Sequence, residues 1–280
     1  MFYVVGPGHG APAILAALWL EGSLSRFYPD YPVDKRGLSK LIYGFSTPGG
    51  FPSHINAECP GSIHEGGELG YALSVAWGAV MDKPDLIVTC IVGDGESETG
   101  ATATAWHAAK YIDPNESGAV IPIVHVNGFK ISERTIYGCM DDKEMVALFS
   151  GYGYQVRFVE DLENIDADLA ASMEWALTVI KKIQSDARSG RPQMKPRWPV
   201  LILRTPKVSP PQIVCLIICR DGLGLRDLPG RSLKDHFVRT RFHSQQLERT
   251  ESNSKFSTNG SRPINLPISL MQMGPRRTLL

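Results

Sequence analysis

The sequence predicts an α/β fold in which a parallel sheet is covered by helices on both faces. Its longest apolar runs are continuous rather than alternating, as strands buried on both sides are. Helix-like stretches separate those runs along the chain. Glycine-rich loops fall directly after the strands, at the edge where such sheets gather their binding groups.

Taken in order, the first strand is "MFYVVG" (1 to 6), followed by "GPGHG" and a helix-like "APAILAALWLEG" (11 to 22). A second helical stretch, "ELGYALSVAWGAVM" (68 to 81), precedes the strand "LIVTCIVG" (86 to 93) and the turn "GDGESETG". "ETGATATAWHAAKYI" (98 to 112) reads as helix, "IPIVHVNG" (121 to 128) as strand, and "YQVRFV" (154 to 159) as a further strand. "DLAASMEWALTVIKKIQ" (168 to 184) is helical, and "PVLILRT" (199 to 205) closes the set as a strand. The loops after the strands at 1 to 6, 86 to 93 and 121 to 128 should converge on one cleft.

Composition narrows the function classes. The 280 residues carry 29 basic and 29 acidic groups and 43% apolar residues, enough for an ordinary core and with no general field for nucleic acid or membrane. Residues 1 to 207 hold 18 basic and 24 acidic groups, leaving 11 and 5 beyond. The five cysteines lack metal-ligand spacing and suit packing in a reducing compartment, so the cytoplasm is expected. The apolar runs are too short for a membrane span. After Lys207 the periodicity fails, and the Arg- and Ser-rich stretch that follows is expected to be disordered.

The charge in "GDGESETG" asks for a reason. Asp94 follows a strand end between two glycines, and Asn127 ends the next strand in the same way. The spacing places both on neighbouring loops outside the core, where they offer a hard divalent ion two oxygen ligands; a backbone carbonyl and phosphate oxygens would complete the shell. A surface turn that merely needs Gly and Asp is the competing reading of "GDG" by itself.

The pair of Asp94 and Asn127 resembles the signature of thiamine diphosphate enzymes. Within that group "GPGHGAPA", "FPSHINAECPGSIHEGGELGYALS", "VGDGESETG", "VNGFKISERT" and "LILRTPK" resemble phosphoketolase, in family order over residues 1 to 207. The resemblance implies a thiamine diphosphate-binding domain with Mg²⁺ held by Asp94, Asn127 and the Phe129 carbonyl. It sets Gly67, Gly95 and Glu96 along the diphosphate, with Lys207 near cofactor and phosphate. A helix opening at "GGELGYALS" would add an amino end that favours the anion. His9 and His54 are implied to line the substrate channel and move protons there. Glu65 and Glu68 are read as structural, His64 as a packing or channel residue, and His107 and His125 receive no role.

The implied reaction is cleavage of xylulose 5-phosphate or fructose 6-phosphate with inorganic phosphate, giving acetyl phosphate and an aldose phosphate. A transketolase-like transferase and a non-catalytic cofactor-binding domain are the alternatives. Full-length members are expected to be homodimers. The family resemblance also implies upstream and downstream segments that carry further catalytic groups, so this chain is expected to be an inactive fragment. Residues 208 to 280 are expected to be a non-family tail. "Val-Ser" at 208 to 209 fits an intron start, and a shifted reading around "MQM" (271 to 273) restores family-like sequence.

Overall fold

A computed structural model describes residues 1 to 64, 66, 68 to 191 and 195 to 207. Glu65, Gly67, the tail at 208 to 280 and the reading placed on it lie outside the described residues.

Five parallel strands form one sheet: β1 (Phe2–Val5), β2 (Ile87–Gly93), β3 (Ala119–Val126), β4 (Tyr154–Val159) and β5 (Trp198–Arg204). Their order is β1-β2-β3-β5-β4. All five coincide with the apolar runs of the sequence. β3 is buried along almost its whole length, which is why its sequence shows no alternation.

The helices are α1 (Ala11–Leu20), α2 (Ser23–Phe27), α3 (Lys35–Gly44), α4 (Ala72–Val80), α5 (Asp94–Ser97), α6 (Gly100–Ala105), α7 (Asp142–Tyr152) and α8 (Ile165–Arg188). The path from β1 through β2 and β3 to β4 advances across the sheet, whereas the path from β4 through α8 to β5 steps back. Right-handed crossovers therefore put α8 on the face opposite α4, α6 and α7. Both faces are covered, as the sequence predicts.

Several helices depart from expectation, and α2 and α3 have no counterpart among the predicted ones. The helix predicted over 68 to 81 begins only at Ala72, because Gly70 adopts φ 93° and its N–H is taken by the Glu96 carboxylate. The helix predicted over 98 to 112 is split into α6 and a 3₁₀ turn at Ala108–Tyr111. α7 was not anticipated, although Asp141 and Glu144 form a reciprocal capping box at its start and Gly153 closes it in the left-handed region.

The core lies on both sides of the central strands. Trp77 of α4 packs edge-on against Trp198 of β5, and Trp106 meets Phe149 of α7 and Tyr154 of β4 in the same geometry. Tyr154 also donates its hydroxyl to the Trp106 carbonyl. These contacts make a rigid floor from which the carboxyl ends of β1, β2 and β3 project.

Candidate active site

Asp94 is not on a flexible loop outside the core. It opens the helical turn α5 and is buried. One carboxylate oxygen accepts from the Gly95 N–H at 2.9 Å; the other accepts from the Gly128 N–H at 2.7 Å and the Thr135 hydroxyl at 3.0 Å. Three donors thus satisfy the buried carboxylate.

Asn127 directly follows β3, and the β2–β3 register brings its loop beside Asp94. Its side-chain oxygen accepts from the Phe129 N–H at 3.1 Å. Gly128 takes φ 82°, which turns the chain into a small hairpin closed by the bridge between Phe129 and Arg134. A Cβ on Gly138 would overlap Gly128, so the hairpin can close only where both residues are glycine. Buried Thr135 ties this hairpin to Asp94 and accepts from the Gly138 N–H.

Among the described residues no three His, Cys, Asp or Glu side chains converge to hold a metal. The ligands that these two loops could offer a metal are oxygens: the Asp94 carboxylate, the Asn127 amide and, two residues on in sequence, the Phe129 carbonyl. That set fits a hard divalent cation, and three protein oxygens leave positions for oxygens of a bound ligand.

The glycines and charges around this core are employed in particular ways. A Cβ on Gly95 would lie 3.1 Å from Cγ of Lys130, so the stem of Lys130 runs over the space that Gly95 leaves. The Glu96 carboxylate turns inward and accepts from the N–H groups of Gly70 at 3.2 Å and Gly93 at 3.4 Å. Burial pushes its pKa up, and these amides pull it back. Gly6 makes room for that carboxylate, since a Cβ there would overlap it. What Glu96 retains for an anion is its backbone. Lys207 donates to the carbonyls of Lys130 at 2.6 Å and Ile131 at 2.9 Å, with its ammonium 5.2 Å from the Phe129 ring centre.

His9 sits in the 3₁₀ turn Gly8–Gly10 after β1, and His54 on the loop after Phe51; both reach solvent. Ile55 donates to the Gly8 carbonyl and Gly66 to the Ile55 carbonyl, which holds three loops against one another. Burial, and then the neighbouring His54 imidazole, keep the His9 pKa below the ordinary histidine value. A ring nitrogen of His54 lies 2.9 Å from the Ser53 hydroxyl. A cleft of about 530 Å³ opens on the other side of the hairpin, lined by Asn127, Phe129, Arg134, Tyr137, Arg204 and Thr205 among others.

Residues 1–220 match the family model described as "XFP N-terminal domain". The chain belongs to that family. A probable phosphoketolase of Schizosaccharomyces pombe is 66% identical over 207 residues, 74% of this chain and 25% of its own length. One from Gloeobacter violaceus is 51% identical over 209 residues, 74% of this chain and 26% of its own length. The chain thus spans about a quarter of the length of these curated relatives. Among solved structures, a transketolase of Pichia stipitis aligns with 73% of this chain and 28% of its own, at 20% identity and a TM-score of 0.46.

His125 receives no role from the sequence; in this XFP domain it lies near the carboxyl end of β3, two positions before Asn127. Its Nε2 is 2.7 Å from the Thr205 hydroxyl. Burial lowers its pKa, the Asp94 carboxylate opposes that shift, and His9 reinforces it. His125 therefore sits within electrostatic reach of both the acidic and the histidine sides of the domain. Thr135 and Glu98 carry no sequence signal, because their partners come from other loops. His64 is buried, and exposed His107 lies beside Lys110, 2.7 Å from its ammonium.

Proposed function

We propose that this chain supplies the metal- and diphosphate-binding part of a phosphoketolase. The enzyme would split xylulose 5-phosphate or fructose 6-phosphate with inorganic phosphate into acetyl phosphate and a shorter aldose phosphate. The observation that carries the reading is the pairing of Asp94 with the Asn127 hairpin, an oxygen-only donor set fixed at adjacent strand ends.

In this reading Asp94, Asn127 and the Phe129 carbonyl hold Mg²⁺. Backbone at Gly67, Gly95 and Glu96 borders the diphosphate of thiamine diphosphate, and Lys207 steadies the hairpin beside it. When bound, the cofactor would supply a nucleophilic carbon and an electron sink for carbon–carbon cleavage beside a carbonyl. His9 and His54 provide the proton traffic. Cleavage requires a base for a substrate hydroxyl proton, and the later departure of water requires an acid. The lowered pKa of His9 leaves it neutral, and so a competent base, near pH 7. A homodimeric assembly and a cytoplasmic location belong to the same proposal. So does a division at Lys207 between the family domain and a following tail.

Titration of the full chain with thiamine diphosphate, with and without Mg²⁺, tests the binding half; metal-dependent saturation is expected, and equal titration without metal would sink it. Ketose phosphate and inorganic phosphate, added to the chain complemented with the remaining segments of a family member, separate the chemistries. Acetyl phosphate marks the phosphoketolase, a lengthened sugar from an added aldose marks the transferase, and binding with neither product marks a cofactor-binding domain.

A further inference from the structure

We propose that Glu98 is the positioning residue of the metal-side hairpin, holding the Phe129 carbonyl and the Thr135 hydroxyl in place for Asp94; the inference rests on the metal reading above. Glu98 caps the carboxyl end of α5, and its side chain is only 4% exposed. One oxygen accepts from the Ile136 N–H at 2.7 Å, and the other lies 2.6 Å from the Lys130 ammonium.

Both partners stand next to a group of the site. Ile136 follows Thr135, whose hydroxyl is bonded to Asp94. Lys130 follows Phe129, whose N–H is bonded to the Asn127 side chain. Glu98 therefore grips the hairpin at both of its legs, one residue from each functional atom.

A bare surface ion pair would contribute little. This carboxylate is withdrawn from water and accepts a backbone bond as well, so removing it leaves the Ile136 amide and the Lys130 ammonium without their shared partner. Lys207 holds the same hairpin from its other edge through the carbonyls of Lys130 and Ile131. Lys130 is thus fixed at its side chain by Glu98 and at its carbonyl by Lys207. The two grips restrain the loop directly after Phe129.

The full chain carries the test, in Glu98→Ala, Glu98→Gln and Lys130→Met forms. The first readout is amide hydrogen exchange at Gly128 and Ile136, which needs no cofactor. The second is Mn²⁺ affinity, measured by paramagnetic resonance with thiamine diphosphate present. Glu98→Ala is expected to speed exchange at both amides about tenfold and to weaken Mn²⁺ by about tenfold, the range seen when groups behind metal ligands are lost. Glu98→Gln keeps an oxygen for Ile136 and is expected to recover most of both.

Faster exchange at Ile136 alone, with Gly128 and Mn²⁺ unchanged, would reduce Glu98 to a local cap and overturn the proposal. If Glu98→Ala fails to fold, Lys130→Met reads the same grip. A roughly threefold loss of Mn²⁺ affinity is then expected, and no change in either readout overturns the proposal. Wild-type chain that binds no Mn²⁺ would sink the cofactor reading while the exchange arm still decides the role of Glu98.

Discussion

The loops after β2 and β3 and the loops around β1 face the same edge of the sheet, yet they are built differently. On the first side Asp94 and Thr135 are buried, and side chains close the structure: a carboxylate with three donors, a hydroxyl with two partners, and a carboxylate clasping the hairpin. On the second side backbone closes the structure, through the bonds among Gly8, Ile55 and Gly66, while the imidazoles of His9 and His54 reach solvent. The difference matches two tasks. A metal and a diphosphate are best received by oxygens already in position, since reorganising them would cost affinity. A group that exchanges protons gains from contact with water and from a pKa near the working pH.

The strongest way to break this comparison is Gly8→Ala. The new methyl would overlap the Gly66 carbonyl, which is backbone and cannot step aside. A loss of about 3 kcal/mol is expected, at the upper end for overpacking, with the histidine side disordered first in a thermal melt followed by NMR.

Asp94→Asn cuts the other side more selectively. The amide keeps an oxygen for Gly128 or Thr135, whereas alanine would strip both donors of their acceptor at a cost of about 1–3 kcal/mol each. Divalent-ion affinity should fall at least about tenfold with a modest change in melting temperature. Calorimetric titration measures both in one preparation, and an undiminished affinity would remove Asp94 from the metal shell.

Thr135→Val is expected to cost about 1–3 kcal/mol, because the buried Asp94 carboxylate loses a donor and the Gly138 N–H its acceptor, and to be felt on the acidic side alone. Chemical shifts at His9 and His54 should stay where they are; movement there would mean that the two sides are coupled.

The smallest effect concerns proton affinity. His9 should titrate below the ordinary value of 6.5 by proton NMR, and His54→Ala should move it part of the way back, because burial remains as the larger cause. The sign for stability follows. The unfolded chain binds the proton at a higher pH than the folded one, so this contribution is complete above about 6.5 and is lost as pH falls through the folded value.

The strands β2, β3 and β5 were legible because burial on both faces leaves an unbroken apolar run, a signal that needs no knowledge of neighbours, whereas β4 is buried only at its two ends and includes Gln155 and Arg157. The pairing of Asp94 with Asn127 was legible for a similar reason, since each stands at a fixed offset from a strand end. The burial of Asp94 was not. It is decided by Gly128 and Thr135, 34 and 41 positions away, and no local pattern contains that contact. The glycines have uses inside the protein as well. Gly6 makes room for Glu96, Gly8 for the Gly66 loop and Gly95 for the stem of Lys130. Protein backbone and side chains compete with ligands for the same kind of space.

The sheet order also sets a timetable. Val4 of β1 aligns with Cys90 of β2, 86 positions further along, so joining the two strands closes a loop whose entropy costs about 4 kcal/mol before any pairing returns it. At about 5–20 residues per second of synthesis, β1 leaves the ribosome roughly 4 to 17 s ahead of its neighbour. During that interval its hydrogen-bonding edge has an earlier companion: Tyr3 bridges to Ser62 and gives its hydroxyl to the Pro60 carbonyl. The segment that carries His54 thus reaches β1 before β2 does, and the histidine side of the cleft can take shape while the acidic side is still being made.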